Sequence, residues 1–218
     1  MRTILVLNPK GGSGKSTVAM NIAGWFAGRG HRVALADCDR QASCADWLAA
    51  RPQKAAPIRA AEVVAGKLRV PRSAEIAVID TPAAVHGQRL VNLVQTGQTM
   101  VIPMLPSPMD MRAAERFIAE LYSLRKLINR RIKLATLANR VREDTLVAAS
   151  LEEYLGALKL PGGQRLPFIT ALRNSRNYVQ AVERGLSIFE LAPSRTETDR
   201  EQWQPLLRWL SGPRSVPG

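Results

Sequence analysis

The segment Lys10-Gly11-Gly12-Ser13-Gly14-Lys15-Ser16-Thr17 separates a short apolar run from a helical pattern. The run Thr3-Ile4-Leu5-Val6-Leu7 has the composition of a buried strand, and Val18, Ile22 and Phe26 then recur at helical spacing. A strand, a glycine-rich loop and a helix in this order are typical of a phosphate-binding loop. Glycines allow backbone N–H groups to turn toward phosphate oxygens, and the start of the helix adds partial positive charge. The sequence therefore predicts a nucleotide site at this loop.

The two lysines of the loop are expected to have different roles. Lys15 is placed to reach the β- and γ-phosphates, and the Ser16 hydroxyl is placed to bind Mg²⁺. Lys10 leads the loop and follows a proline, where the usual pattern has glycine. We expect Lys10 to reach a nucleotide held by a second subunit, the alternative being a solvated surface lysine. The remaining cofactor-binding positions are Gly11, Gly12, Ser13, Gly14 and Thr17.

The pattern K-G-G-x-G-K-S-T resembles the deviant Walker A motif of the ParA/MinD class of P-loop ATPases, and the resemblance extends from Met1 to about Leu191. It is most similar to the small ParA type without an N-terminal DNA-binding domain, because the loop begins at Lys10. The resemblance implies ATP and Mg²⁺ as cofactors and a homodimer in the ATP state, with Lys10 crossing the interface. It also implies slow hydrolysis stimulated by an adaptor protein, which links the ATPase to a cargo.

Apolar runs alternate with helical patterns, which predicts an α/β fold with a doubly wound, mostly parallel sheet and helices on both faces. We expect one domain over 1–211 and a flexible tail over 212–218. Later strands are predicted at 33–37, 77–80, 100–104, 132–137 and 165–168. Long helices are predicted over 114–128 and 145–158. Residues 51–73 are rich in Pro, Ala and Arg, and their pattern predicts no element.

Carboxylates end two of the predicted strands, and the carboxyl ends of parallel strands form the ligand edge of an open sheet. Asp80 ends the second of these, as in a Walker B strand, and is expected to hold Mg²⁺ through water. By resemblance, Asp37 lies near the Mg²⁺ shell and Asp39 orients the attacking water. The alternative is that Asp37 or Asp39 caps a helix. The family continues with proline where this chain has Arg40.

Two further segments resemble parts of the family's nucleotide rim. The residues 103–110 resemble the segment P-x-x-P-S-P-x-D, which we interpret as part of the dimer face, although Asp110 could equally cap the next helix. Asn139 matches the asparagine of the purine pocket, the alternative being a plain turn residue. The segment from Asp80 to Gly87 resembles the second switch, where the backbone N–H of Ala83 or Ala84 could meet the γ-phosphate.

The chain carries 31 basic and 18 acidic residues, a net charge of +13. A surface this basic attracts polyanions, with solubility alone as the alternative. Acid-free basic stretches at 125–142 and 154–182 suit sequence-independent contact with DNA phosphates. By resemblance and charge, the candidate DNA-binding residues are Arg130, Arg131, Arg173 and Arg176, with ordinary solvated arginines as the alternative.

The sequence also bears on location. No run reaches the ~18 apolar residues of a membrane span, and the two cysteines, Cys38 and Cys44, are expected to be reduced packing residues. We therefore expect a cytoplasmic protein, and the resemblance to ParA proteins implies that it associates with the nucleoid. The stripe Trp203, Leu206, Leu207 and Leu210 could instead be a membrane-targeting tail, as in a MinD-like ATPase, although only Arg208 lies on its polar side. Packing onto the sheet is the favoured interpretation.

Overall fold

The computed structural model describes residues 1–64, 67–127, 132–142, 146–160 and 162–217. The strands are β1 Arg2–Val6, β2 Val33–Asp37, β3 Ile58–Val64, β4 Lys67–Arg69, β5 Ile76–Asp80, β6 Thr99–Met104, β7 Lys133–Val141 and β8 Phe168–Arg173. The helices are α1 Lys15–Ala27, α2 Ser43–Ala49, α3 Gly87–Thr96, α4 Pro108–Leu127, α5 Leu146–Ala157, α6 Arg176–Glu183 and α7 Pro193–Ser211. Short 3₁₀ turns occupy Ile188–Glu190 and Pro213–Ser215.

The strands form one sheet in the order β4-β3-β2-β5-β1-β6-β7-β8. All neighbouring pairs are parallel except β3 and β4, which form an antiparallel hairpin at one edge. On one side of β1 the sheet continues through β5 and β2 to β4, and on the other side it continues through β6 and β7 to β8. The strand that precedes the phosphate loop therefore lies in the interior of the sheet, where the two halves meet. The predicted doubly wound α/β fold is confirmed.

Apolar residues fill both faces of the sheet, as expected for parallel strands covered by helices. One core cluster includes Phe117 and Leu121 of α4 together with Leu151 of α5. The other includes Ile22 and Phe26 of α1. Both faces are therefore closed, and the carboxyl edge of the sheet carries the polar side chains considered below.

The edge strands differ most from the sequence-based expectations. Residues 51–73, which had no predicted element, contain β3 and β4. The strand predicted at 165–168 begins at Phe168 instead, and Arg165 makes only an isolated bridge with Lys159. Pro167 explains this shift, because its backbone lacks the N–H that a ladder needs, although its carbonyl accepts from Thr136 N. The helices predicted at 114–128 and 145–158 correspond to α4 and α5, and their ends at 128 and 145 lie outside the described residues.

The segment after α7 packs against the first strand. The sequence predicts a flexible tail over 212–218, whereas the structure places a 3₁₀ turn there and buries Ser215 completely. Ser215 Oγ accepts a hydrogen bond from Arg2 Nη2 at 2.6 Å, and its carbonyl accepts from Thr99 Oγ1 at 2.5 Å. Arg2 Nη1 also donates to the Leu210 carbonyl. These contacts join the end of the chain to β1 and β6.

A buried ion pair connects α2 to the turn that follows α6. Arg51 makes two hydrogen bonds to Glu190, at 2.5 Å from Nη2 and 3.1 Å from Nη1, and both side chains are largely buried. Glu190 Oε2 also accepts from the backbone N–H and hydroxyl of Ser187, which completes a capping box. The indole of Trp47 donates to the Leu186 carbonyl at 3.0 Å. The segment 185–190 is thus fixed to α2.

We expect Arg51→Ala to lower the free energy of unfolding by about 3–5 kcal/mol, because it leaves the Glu190 carboxylate buried without its cation. Urea denaturation followed by circular dichroism measures the change. The matched control is Arg32→Ala, since Arg32 forms a solvent-exposed pair with Glu75 and should change stability little. Equal effects of the two variants would contradict a structural role for the buried pair.

Candidate functional site

The loop between β1 and α1 has the backbone of an anion-binding loop. Gly14 precedes α1 with φ 84°, a left-handed conformation that favours glycine, and no side chain caps the helix. The first N–H groups of α1 are therefore directed to a ligand. A Cβ on Gly14 would overlap the amide nitrogen of Asn139. The geometry requires glycine at this position.

The side chain of Asn139 contacts the backbone of the phosphate loop. Its Nδ2 donates to the Ser13 carbonyl at 2.8 Å, and the side chain is 6% exposed. Ser13 is fully buried, and its hydroxyl donates to the Lys10 carbonyl at 3.3 Å. The structure thus gives Asn139 a supporting contact with the phosphate loop, and the predicted contact with a purine stays a prediction.

The Lys15 ammonium is folded back onto its own loop. Lys15 Nζ donates to the Lys10 carbonyl at 3.2 Å, and the side chain is buried. Burial lowers the pKa of Lys15, while the charges of Asp80 and Asp39 oppose this effect. A buried cation surrounded by loop N–H groups and helix α1 is suited to bind a polyphosphate.

A carboxylate that lacks a full set of partners lies beside Lys15. Asp80 is fully buried at the end of β5, and within the described residues its Oδ1 accepts no hydrogen bond. Burial raises the pKa of Asp80 to about 6, opposed by hydrogen bonds from the Ser16 hydroxyl and the Cys44 thiol. An unpartnered carboxylate oxygen next to a serine hydroxyl fits a hydrated Mg²⁺ ion. The residues therefore fit the magnesium that the sequence predicts at Ser16 and Asp80.

Asp37 has a structural role that the sequence left open. Its Oδ2 accepts from the backbone N–H groups of Cys44 at 2.7 Å and Ala45 at 3.1 Å, so the carboxylate caps the start of α2. Its Oδ1 accepts from Asp39 N at 3.0 Å. The Asp37 carboxylate also lies within 4.8 Å of ligand atoms of Asp80 and Cys44. Its place near Mg²⁺ stays a prediction.

The turn after β2 positions Asp39. The backbone N–H of Ala42 donates to the Asp39 carbonyl at 3.1 Å, and that of Gln41 donates to Asp39 Oδ1 at 3.0 Å. Arg40 occupies the second position of this turn, where proline is favoured, so an aspartate-centred turn persists without the proline. Within the described ranges, Asp39 Oδ2 accepts no hydrogen bond from the protein. The carboxylate can therefore hold a water molecule at the cavity.

Lys10 forms an ion pair with Asp110 across the sheet edge. Lys10 Nζ lies 3.0 Å from Asp110 Oδ2, with side chains 39% and 5% exposed. Asp110 lies in the first turn of α4, at the end of the segment that the sequence assigns to the dimer face. Within one subunit the second lysine is thus held beside the phosphate loop and remains partly open to solvent.

A cavity of about 750 Å³ opens over the loop and is lined by some of these groups, including Lys15 and Asp39. Lining residues include Gly11, Gly12, Gly14, Lys15, Ser16, Thr17 and Asp39. Among the lining residues that sequence reasoning did not assign to the site are Arg40, Arg89, Arg140 and Val182. Only Arg40 had a signal, as a departure from the family pattern. Ala83 also lines the cavity, whereas the N–H of Ala84 donates to the Pro9 carbonyl at 2.7 Å.

We expect Arg89→Ala to weaken ATP binding by roughly tenfold and ADP binding by less, because a cation at the wall of a polyphosphate cavity interacts most with the more highly charged nucleotide. Titration with fluorescent ATP and ADP analogues measures both affinities. Arg29→Ala is the control, since Arg29 stacks on Trp25 at the other end of α1. An unchanged ratio of ATP to ADP affinity would contradict a contact between Arg89 and the γ-phosphate.

The predicted DNA-binding residues fall in three situations. Arg173 Nε donates to the fully buried Asp199 at 2.7 Å, and Asp199 also accepts from Asn177 near the start of α6. Arg173 thus makes a contact that positions α6. Arg176 is exposed as the first residue of α6. Arg130 and Arg131 lie outside the described residues.

Cys44 and the apolar stripe of the last helix are buried, and Cys38 is half-buried. Burial raises the pKa of Cys38 to about 12 and the pKa of Cys44 further, so both thiols are protonated at neutral pH. The stripe of α7 packs against the core: Trp203, Leu206, Leu207 and Leu210 are each 0% exposed. The packing interpretation is confirmed for this stripe. In the part of the chain that the structure describes, no helix has the length and apolar composition to cross a bilayer.

A doubly wound sheet with a glycine-rich phosphate loop after its first strand defines a P-loop nucleotide-binding protein. Residues 4–188 match the model of the CobQ/CobB/MinD/ParA nucleotide binding domain. The chain belongs to this family. The predicted resemblance to ParA and MinD proteins is thereby confirmed.

Two relatives cover most of the chain. Maintenance of carboxysome distribution protein A of Halothiobacillus neapolitanus is 29% identical over 205 residues, which are 90% of this chain and 91% of the relative. The protein of the same name from Gloeobacter kilaueensis is 30% identical over 194 residues, which are 87% of this chain and 84% of the relative.

Solved structures share the fold at lower identity. MinD of Aquifex aeolicus superposes with a TM-score of 0.73 at 16% identity, covering 100% of this chain and 99% of that one. An aspartate-to-alanine variant of Cyanothece McdA in complex with ATP gives 0.69 at 18% identity, covering 94% and 96%. Cobyrinic acid a,c-diamide synthase of Mycobacterium smegmatis with an ATP analogue and magnesium gives 0.69 at 18% identity, covering 100% and 98%.

Proposed function

We propose that this chain is a ParA-type ATPase that forms a dimer on ATP, binds DNA without sequence preference and positions a cargo on the nucleoid. An adaptor protein would stimulate its slow hydrolysis and link it to the cargo. The names of the two relatives support a carboxysome or another protein organelle as cargo. Plasmid or chromosome DNA, the cargo of other ParA proteins, is the second candidate.

The placement of Lys10 is the observation on which the proposal depends. A second lysine stands at the entrance of the phosphate loop and is 39% exposed. It pairs with Asp110, whose buried Oδ1 has no hydrogen-bond partner among the residues that the structure describes. A lysine that served only solubility would have no need of a nearly buried acidic partner. The position of Lys10 supports a role in which its ammonium group leaves Asp110 and contacts the triphosphate bound by the facing subunit.

The site suggests how hydrolysis proceeds. Helix α1 and Lys15 bind the triphosphate, and Asp39 holds the attacking water in line with the γ-phosphate. Ser16 and Asp80 would hold Mg²⁺, which would neutralise negative charge on the triphosphate. Lys10 from the partner subunit adds positive charge where negative charge develops. The described residues include no histidine or glutamate in the cavity lining that could act as a dedicated base, which supports slow turnover.

The fold offers a route from nucleotide to DNA. Val182 of α6 lines the nucleotide cavity, and Arg176 begins the same helix on the surface. The contacts of Arg51 and Trp47 connect α2, which follows Asp39, to the turn after α6. A change at the triphosphate can therefore move α6 in two ways: directly at Val182, and through the contacts between α2 and the turn after α6. Both routes support a coupling between ATP binding and DNA binding.

The rival proposal is a MinD-like ATPase acting at the membrane. It needs an amphipathic segment able to leave the domain, and the apolar stripe of α7 is instead fully buried. The relatives named for carboxysome distribution also favour the positioning function. We therefore prefer the nucleoid to the membrane as the surface on which this protein acts.

A DNA-binding titration at several salt concentrations tests the proposal. We expect tight binding to unrelated DNA sequences with ATP, weak binding with ADP, and a steep loss of affinity as salt rises. Anionic vesicles carried through the same protocol test the membrane alternative. DNA binding of equal affinity with ATP and ADP would contradict the proposed function. Binding to vesicles without binding to DNA would also contradict it.

A further inference from the structure

We propose that a hollow at the amino edge of the sheet, where the parallel strands begin, docks an acidic segment of a partner protein through one apolar side chain of that segment. The hollow has a volume of about 360 Å³ and lies between the starts of β7 and β8 and the end of α7. This volume is in the range of pockets that hold a ligand. Because the phosphate loop lies at the carboxyl edge, the hollow is separate from the nucleotide cavity.

The floor of the hollow is apolar. Leu134 and Leu166 are buried there, and Ile169 and Trp209 are partly buried. An apolar side chain that entered the hollow would remove this surface from water, which favours binding. An aromatic side chain could in addition pack against the indole of Trp209.

The rim of the hollow carries positive charge only. In the described part of the chain, the ionisable residues that line it are Lys133 at the start of β7, Arg165 before β8 and Arg214 in the 3₁₀ turn after α7. None of the three side chains pairs with a carboxylate of the described residues. Three such cations around an apolar floor complement a ligand that carries both carboxylates and an apolar group.

Backbone and tail contacts fix two sides of the hollow. The backbone N–H of Leu160 donates to the Gln164 carbonyl at 2.8 Å on one side. On another side, the buried Ser215 is bound by Arg2, which holds the turn that carries Arg214. A site that is fixed before binding loses little conformational entropy when it is occupied. The packing of the C-terminal turn thus brings a third cation to the hollow.

An acidic protein segment matches these features better than DNA does. A DNA duplex presents phosphates to basic residues but has no side chain to fill an apolar floor. Lys10 and Arg176 follow the carboxyl ends of β1 and β8, so the proposed dimer and DNA contacts leave the amino edge open. The adaptor is the partner that the proposed function requires, and the assignment of the acidic segment to the adaptor rests on that function.

The test is fluorescence anisotropy of a fluorescein-labelled peptide of glutamates with one central phenylalanine, added to the full chain without ATP or DNA. We expect this peptide to bind roughly tenfold more tightly than the same peptide with serine in place of phenylalanine. Arg165→Glu and Arg214→Glu should each weaken binding by at least about fivefold. Arg116→Glu is the matched control, because Arg116 is exposed on α4 outside the lining, and it should weaken binding by less than about twofold.

Absence of binding, or equal affinities for the two peptides, would overturn the proposal. Equal losses in Arg165→Glu and Arg116→Glu would also overturn it, because binding would then reflect net charge alone. If unlabelled duplex DNA displaced the peptide and lost affinity only in Arg165→Glu and Arg214→Glu, the hollow would belong to the DNA surface and the proposal would be wrong.

The assay separates this proposal from the proposed function. It contains neither ATP nor DNA in its first form, so a failure of peptide binding leaves nucleotide-dependent DNA binding untouched. A chain that bound the peptide at the hollow but bound DNA equally with ATP and ADP would contradict the proposed function alone.

Discussion

Lys10→Ala should abolish ATP-dependent DNA binding and reduce adaptor-stimulated hydrolysis by roughly 10³-fold, the scale found when a cation supplied in trans is removed from phosphoryl transfer. The expectation follows from its position at the loop entrance, 3.0 Å from Asp110 and 39% exposed. Binding of a single ATP by each chain should persist, because Lys15 and the start of α1 are unchanged. Steady-state phosphate release and a fluorescent-nucleotide titration measure the two properties separately.

Lys54→Ala is the control for this variant, since Lys54 is an exposed lysine outside the described lining of the nucleotide cavity. It removes the same charge from the chain and should leave hydrolysis and ATP affinity unchanged. If Lys10→Ala retained nucleotide-dependent DNA binding, the role of Lys10 would be limited to its ion pair with Asp110. The proposed dimer, in which Lys10 contacts the nucleotide of the partner subunit, would then be wrong.

Asp39→Ala should slow hydrolysis by about 10²–10⁴-fold while leaving ATP binding intact, because it removes the carboxylate that we propose holds the attacking water, and it leaves Lys15 and the start of α1 in place. The ATP-bound form should accumulate, so the variant should remain on DNA far longer than the wild type. Single-turnover hydrolysis and dissociation from immobilised DNA measure the two effects.

The turn itself makes the choice of substitution important. Asp39 Oδ1 accepts a hydrogen bond from Gln41 N, so a shorter side chain also loosens the turn. Asp39→Asn keeps an oxygen for that contact and should slow hydrolysis to a similar extent. Normal turnover in Asp39→Asn would assign the residue to the turn rather than to the water, and the mechanism would need another group.

The interior of the sheet could be predicted because its strands are continuous apolar runs. Strands β1, β2, β5, β6 and β7 lie in or near the predicted segments, and each is buried almost throughout. Strand β3, which lies next to the edge strand β4, was missed because it begins Ile58-Arg59-Ala60, where a charged residue interrupts the apolar run. A pattern that mixes charge with small residues does not distinguish an exposed strand from a loop.

The phosphate loop could be predicted because its ligands lie within eight consecutive residues. The contacts that groups from distant parts of the chain make with the loop could not, although the sequence analysis did assign Asp80 and Asn139 to the site. The Lys10–Asp110 pair spans a sequence separation of 100 residues, and Asn139 meets Ser13 across 126. Arg140 enters the cavity lining at a break in the pairing of β7 with β8, with φ 54°, and no sequence pattern marks such an irregularity.

The contacts of the two cysteines are a second feature that could not be predicted from the sequence. Their spacing in the sequence predicts neither a disulfide nor a metal site, and the complete burial of Cys44 supports its assignment as a packing residue. Only the fold brings Cys44 to the end of β5, where its thiol meets the Asp80 carboxylate. A contact between a thiol and a carboxylate from separate elements becomes visible only in three dimensions.

Sedimentation velocity of Asp39→Ala with ATP and Mg²⁺ tests the central claim most directly, since hydrolysis cannot then empty the site during the run. We predict a species of two chains with ATP and a single chain with ADP, and a single chain under both conditions when Lys10→Ala is added. A single chain throughout, at nucleotide concentrations that saturate the site, would contradict the account.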